Sequence, residues 1–333
     1  AHGVVNATVA LLGKSEKTSG HAGLANAVLR KAAEAQEIWD RQPPQRLPGW
    51  LRGRLNSAWG NRATQAIEAA QAAGAPTDIT LKGARPEGLE ADVLPTGSLR
   101  LSGPGALTAQ PGYESGDWWV QDAAAAVPGR LLHVKPGDTA LDMCAAPGGK
   151  TAQLALAGAQ VTAVDRSPAR VARLRENLTR LALQAETVVA DAAEWPAEAA
   201  SFDGILVDAP CTSTGTIRRH PDVAWLRQEG DIAALSALQK RLLLKATHLL
   251  KPGGTLVYCT CSLEPEEGEH AIAALLASES GLRRAPVEKS EVAGLDDIIT
   301  ADGDLRTLPS HLPNADPRLS GLDGFYAARL VKS

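Results

Sequence analysis

The sequence lacks any apolar run near the ~20 residues that span a bilayer, and no charged, apolar and small-residue series marks a secretion signal. It has only four cysteines, Cys144, Cys211, Cys259 and Cys261. Cys259 and Cys261 stand too close for an easy mutual disulfide, and no pair has the Cys-x-x-Cys spacing of a zinc site. Reduced thiols in a cytoplasmic protein, with no metal, are the economical reading. Aromatic residues are sparse at 4%. Positive charge is not in excess either: 34 Lys+Arg against 38 Asp+Glu leave a net charge of -4, which by itself suggests no nucleic-acid partner. The charge is uneven, however. Residues 1–60 hold eight Lys+Arg and four Asp+Glu, leaving the remainder at net -8, a split compatible with one basic arm touching RNA and equally with ordinary surface variation.

At 333 residues the chain has room for two or three domains. It begins at Ala1 rather than Met, inside a helical pattern, so an upstream segment is expected. Apolar residues recur at helical spacing over 4–12 and 23–38, with Leu24, Val28 and Leu29 beside Arg30 and Lys31, until Pro43-Pro44. Residues 47–60 read as a basic helix carrying Trp50 and Trp59, where Arg52 and Arg54 face either phosphate or solvent; a second helix covers 62–73. Residues 74–115, rich in Gly and Pro with short alternating runs at 79–82 and 99–101, suggest a small β-containing module. Trp118 and Trp119 follow, as core or as lining for the mouth of the next domain.

From Gly137 the pattern turns βαβα. Four apolar runs of buried-strand length end at Asp142, Asp165, Asp191 and Asp208, with helical segments at 150–157 and 168–183 between the first three. Four carboxylates thus line one sheet edge, the side on which open α/β sheets bind ligands. The first strand enters Asp142-Met143-Cys144-Ala145-Ala146-Pro147-Gly148-Gly149-Lys150-Thr151. This turn lacks the first glycine of a phosphate loop and the Gly-x-Gly-x-x-Gly dinucleotide spacing, which removes the sequence feature of a nucleotide-dependent oxidoreductase. Gly148 and Gly149 let backbone approach a ligand closely, and Lys150 with the amides of a helix start can meet a carboxylate. Asp165 is placed for ribose hydroxyls and Asp191 for an adenine amino group. Carboxylate, ribose and adenine without phosphate describe S-adenosylmethionine.

Two thiols border the same edge. Pro210-Cys211 follows the fourth strand and leads to Arg218, Arg219 and His220, a local basic cluster or a solvated loop. Leu250-Lys251-Pro252-Gly253-Gly254 reads as a helix stop and turn before the short run 255–258, which sets Cys261, in Thr260-Cys261-Ser262, at or just past a strand end.

Together, Asp142 to Thr151, Asp208 to Asp222 and Thr260-Cys261-Ser262 resemble the RsmB/Nop/Sun family of RNA cytosine-5 methyltransferases. His21 to Arg30 resembles the last helices of the NusB-like RNA-binding domain in the RsmB branch, which acts on 16S ribosomal RNA. The resemblance implies an α/β fold: a Rossmann-like S-adenosylmethionine-dependent methyltransferase sheet of seven strands, the last antiparallel at Asp323 to Leu330. It implies domains at 1–43 (partial NusB-like), 44–115 (linker helices and small α/β module) and 116–333 (catalytic). S-adenosylmethionine would lie against Cys144, Ala145, Ala146, Pro147, Gly148, Gly149, Lys150, Asp165, Arg170, Asp191 and Asp208. Cys261 would be the nucleophile, Cys211 would assist adduct breakdown, and Asp208 would contact the cytosine ring with Lys150 reaching toward the base. The rival order takes Cys211 as nucleophile, as in DNA cytosine-5 methyltransferases. The expected partner is RNA, ribosomal rather than transfer RNA, bound by a monomer with an unpaired or flipped cytosine and no membrane. A silent RNA-binding protein of the same fold is the remaining alternative.

Overall fold

The computed structural model of the chain describes all residues except 1, 36, 39, 40, 43, 44, 103, 104, 293 and 294, so the helix stop expected at Pro43-Pro44 lies outside the described residues. Contacts divide the chain into two compact units, Ala1–Gln45 and Arg46–Ser333. The first unit holds α1 (His2–Gly13), α2 (Glu16–Ser19) and α3 (Ala22–Glu34), with α1 packed on α3. Val4, Leu11, Leu24 and Val28 stay exposed on these helices.

The second unit opens with α4 (Gly49–Ala73), which breaks at Gly60, where φ 80° and ψ 162° are not helical. Glycine alone tolerates that φ cheaply, so the two helices expected at 47–60 and 62–73 meet there. Strands β1 (Asp78–Leu81), β2 (Ala91–Val93), β3 (Leu99–Leu101) and β4 (Trp118–Val120) form a small antiparallel sheet in the order β2-β3-β1-β4. Trp118 fills its core against Ile79, Leu89 and Leu99, so it is core and not a stacking platform.

The main sheet follows from α5 (Val127–Leu131), β5 (Thr139–Met143), α6 (Gly149–Leu156), β6 (Gln160–Asp165), α7 (Pro168–Arg180), β7 (Glu186–Val189) and β8 (Phe202–Asp208). It is completed by α8 (Val223–Leu226), α9 (Glu229–Leu249), β9 (Leu250–Thr260), α10 (Glu269–Ser278), β10 (Leu282–Arg284), β11 (Leu305–Thr307) and β12 (Phe325–Lys332). The order is β10-β12-β9-β8-β5-β6-β7, with β12 antiparallel to β9 and the short β11 added on β12. The seven-strand path with an antiparallel last strand therefore stands. β9 is longer than the run 255–258: Leu250 pairs with Phe202 and Thr255 with Gly204, and the intervening Pro-Gly-Gly segment bulges out of register.

The strands read as continuous apolar runs because both faces are covered. Leu141, Met143, Ile205, Val207, Leu256 and Tyr258 pack under Leu242, Leu243, Ala246 and Leu249 of α9. Ala140, Leu206, Val257 and Cys259 point to the opposite face, against Val127 and Leu131 of α5. The strand order reverses between β5 and β8, and the crevice at such a switch point is where ligands enter these sheets.

Candidate active site

The four strand-end carboxylates do not share one level. Asp142 pairs with Leu206, two residues below Asp208, whereas Asp165 pairs with the last residue of β7 and Asp191 lies two residues further on. Depth follows register: Asp142 and Asp165 are buried, Asp208 is half-buried and Asp191 exposed. Asp142 accepts the Thr151 hydroxyl at 2.6 Å through Oδ2, while Oδ1 is buried with no hydrogen-bond partner. Burial pushes its carboxyl up to about 7, partly opposed by Thr151.

The turn after β5 is shaped for close approach. Cys144 takes a left-handed φ of 65°, and Gly148 one of 102°, where a Cβ would meet the Leu174 side chain at 3.0 Å. Behind the turn, Trp119 packs with Ala145 and Ala146 and donates Nε1 to Gln121 at 3.0 Å, so it is core as well. Asp165 accepts the amides of Ala146 at 3.2 Å and Ser167 at 3.0 Å and pairs with Arg170 at 3.3 Å. Cys144, Asp165, Arg170 and Asp191 line one small cleft. Its other wall is apolar, made by Ala192, Pro210, Leu238 and Leu242. The leucines, one helical turn apart on α9, were not legible as site residues, because their spacing is that of any core-facing helix.

Across the switch point, Lys150 donates from Nζ to Asp208 Oδ2 at 2.9 Å and lies over the Phe325 ring, 4.9 Å from its centroid. Burial works against its charge, yet Asp208 holds its pKa above the ordinary lysine value. Asp208 Oδ1 accepts the Cys259 thiol at 3.5 Å, and burial with that carboxylate keeps Cys259 a protonated thiol.

Cys211 Sγ and Cys261 Sγ stand 3.5 Å apart. They titrate in opposite directions. Cys261 is lowered from the usual thiol range, first by the hydrogen bond from Cys211 and further by the Ser213 hydroxyl and the Lys150 charge, against burial and Asp208. Cys211 is raised well above it by the same hydrogen bond, by burial and by the charges of Cys261 and Glu267. The lower thiol of the pair is Cys261, which makes it the better nucleophile of the two, with Cys211 as its hydrogen-bond partner. Cys144 is pushed up to about 12 by burial and the nearby carboxylates of Asp208, Asp165 and Asp142, so it stays a neutral thiol.

Four of the basic residues the sequence offered to RNA, Arg52, Arg54, Arg218 and Arg219, are paired with carboxylates of the protein itself. Arg218 donates to Asp323 at 2.8 Å and Asp122 at 3.0 Å with its side chain fully buried, and Arg219 pairs with the same two carboxylates. Arg54 bonds Glu229, Glu264 and Glu266, and Arg52 bonds Glu68. A buried guanidinium needs carboxylate partners, and here these come from distant segments of chain.

A family model described as 16S rRNA methyltransferase RsmB/F matches residues 130–331. The chain belongs to that family. Ribosomal RNA small subunit methyltransferase B of Erwinia tasmaniensis is 38% identical over 332 residues, covering 93% of this chain and 73% of that protein. The protein of the same name from Pseudomonas syringae pv. tomato is 38% identical over 358 residues, covering 100% of this chain and 77% of its own. A solved methyltransferase homolog protein from Pyrococcus horikoshii shares 28% identity with a TM-score of 0.68, over 84% of this chain and 94% of that one. As an RsmB/F methyltransferase, the chain is an enzyme that takes S-adenosylmethionine and RNA. The residues present fit that methyl donor: the cleft combines acidic and apolar walls of the kind an adenosine requires, and the end of β5 leaves an acceptor, Asp142 Oδ1, without a hydrogen-bond partner. No helix among the described residues is long and apolar enough to cross a membrane, and no metal-ligand cluster occurs among them.

Proposed function

We propose that the chain methylates C5 of an unpaired or flipped-out cytosine in 16S ribosomal RNA through a covalent bond from Cys261 to C6, acting as a cytoplasmic monomer without a metal. The observation that carries the reading is the thiol pair, whose sulfurs stand 3.5 Å apart beyond the ends of β8 and β9. S-adenosylmethionine supplies an electrophilic methyl group, held by Asp142, the Cys144 to Gly149 turn, Asp165, Arg170 and Asp191. Cytosine C5 is too weak a nucleophile to take it unaided. Addition of the Cys261 thiolate at C6 makes C5 enamine-like. Lys150 supplies the positive N–H donor that a carboxylate lacks, so Lys150 and Asp208 together meet the polar edge of the ring. After transfer, the C5 proton passes to water, its electron pair restores the C5–C6 double bond, and the C6–S pair returns to Cys261. Cys211 hydrogen-bonds that leaving sulfur. Residues 1–43 are proposed as the C-terminal part of a NusB-like RNA-binding domain, on the resemblance of His21 to Arg30.

The test is denaturing electrophoresis of wild type, Cys211→Ala and Cys261→Ala after incubation with S-adenosylmethionine and unmodified 16S RNA or transfer RNA. A protein-RNA band in Cys211→Ala that is missing from Cys261→Ala is expected with 16S RNA. Full activity in Cys261→Ala would sink the assignment.

A further inference from the structure

Beside the two thiols lies a buried acid, Glu267, that takes no part in the methyl-transfer steps. Glu267 lies in the short turn Pro265–Glu267, six residues past Cys261, and is fully buried. Its two oxygens accept the backbone N–H of Thr212 at 3.0 and 3.2 Å, the Thr212 hydroxyl, and Gln239 Nε2 at 3.0 Å. Gln239 Nε2 also donates to the Pro210 carbonyl at 2.9 Å. From the other side Arg227 donates Nε to the Thr212 carbonyl at 3.2 Å and Nη2 to the Cys211 carbonyl at 3.4 Å. The Thr212 hydroxyl sits 3.1 Å from Ser262 Oγ, beside Cys261, and Gly215 N bonds the Cys261 carbonyl at 3.0 Å.

All of Glu267's partners are neutral donors, and through Thr212 and Gln239 they tie down the backbone on both sides of Cys211. A buried carboxylate without a bonded cation is expensive to keep. A neutral tie between a loop and a helix has cheaper solutions, but only a carboxylate accepts from this many donors without presenting an N–H of its own. Fixing the Thr212 peptide on both its N–H and its carbonyl fixes the direction of the Cys211 side chain, and with it the 3.5 Å separation of the two sulfurs.

We infer that Glu267 is a positioning residue for adduct breakdown, holding Cys211 through Thr212 where its thiol meets the departing Cys261 sulfur. The inference rests on the reading that Cys211 assists that breakdown. In Glu267→Gln, one oxygen replaces two, and an N–H is turned toward the Thr212 amide or Gln239. Sulfur misplacement equivalent to losing one charged hydrogen bond slows release by about ten-fold or more. The first bond-forming step slows only as far as the weakened Cys211 contact raises the Cys261 thiol, so release falls further than transfer.

The experiment is rapid-quench single turnover on 16S RNA with the full chain, scoring both methyl incorporation and covalent complex for wild type, Cys211→Ala and Glu267→Gln. Expected is persistent adduct in both variants, with release slowed further than first transfer, which falls only as far as the loss of Cys261 thiolate requires. Adduct persisting in Cys211→Ala but released at the wild-type rate in Glu267→Gln overturns the role of Glu267 alone. No persistent adduct in Cys211→Ala overturns the parent reading and this inference with it. A parallel fall of transfer and release in Glu267→Gln also overturns it, as the mark of a purely structural residue. If Glu267→Gln does not melt cooperatively, Glu267→Asp takes its place; it keeps the charge, and release between the other two rates is expected. Wild-type release in Glu267→Asp overturns the proposal.

Discussion

Replacing Cys211 by Ala deletes the proton donor that stabilises the Cys261 thiolate, and the reactivity of Cys261 toward a small alkylating agent reports the change directly. A hydrogen bond to a charged acceptor contributes about 1.5–3 kcal/mol. At the Sγ–Sγ distance of 3.5 Å the donor is a weak thiol, so the lower end, about 1.5 kcal/mol, is the better guide. At about 1.4 kcal/mol per pH unit, that raises the Cys261 titration by about one unit. Ser213 and Lys150 remain and prevent a larger rise. Only the thiolate reacts, so the pH profile for iodoacetamide labelling of Cys261, followed by peptide mass spectrometry without RNA, moves to higher pH in Cys211→Ala. Cys211→Ser keeps a donor and moves it less. Cys144 is the internal control, because its thiol at about 12 leaves it slow to label throughout. An unchanged Cys261 profile in Cys211→Ala, or one moved to lower pH, would refute the argument that Cys261 is the lower thiol of the pair with Cys211 as its hydrogen-bond partner.

Two further outcomes follow from buried charge. Burial pushes the Asp142 carboxyl up to about 7 from an ordinary 3.8, so wild type loses stability relative to Asp142→Asn as pH rises from about 4 to 7, and the difference then stays constant. About three units at about 1.4 kcal/mol each bound the effect near 4 kcal/mol; urea melts at pH 5 and pH 8 that show the same gap would contradict it, and calorimetry should find weaker S-adenosylmethionine binding in the variant. Arg218→Met leaves Asp122 and Asp323 buried with Arg219 alone, which should cost about 3–5 kcal/mol of stability. If Arg218 served RNA instead, the melt would be unchanged while RNA affinity fell.

The catalytic edge was legible because it depends on local order. Apolar runs ending in Asp, a glycine turn after the first strand and a thiol after the last parallel strand are short-range patterns, and each strand carries its terminal residue to the same side of a parallel sheet. The chain needs no distant information to put Cys261 just beyond β9. By itself, then, the sequence determined the α/β class, the strand ends that face the ligand, the family and its methyl donor. What it could not state is who partners whom. Arg218 and Asp323 are 105 residues apart, and Arg54 and Glu264 are 210 apart; from either member alone, a basic run offered to phosphate looks the same as one locked inside the protein. Register likewise decided that Asp142, inside β5, is sunk and Asp191, two residues past β7, exposed, although both close similar apolar runs in the sequence. Tertiary structure alone brought Cys211 to Cys261 and Glu267 to Thr212. Charge and thiol acidity are set by neighbours within a few ångströms, and folding supplies those neighbours from anywhere along the chain.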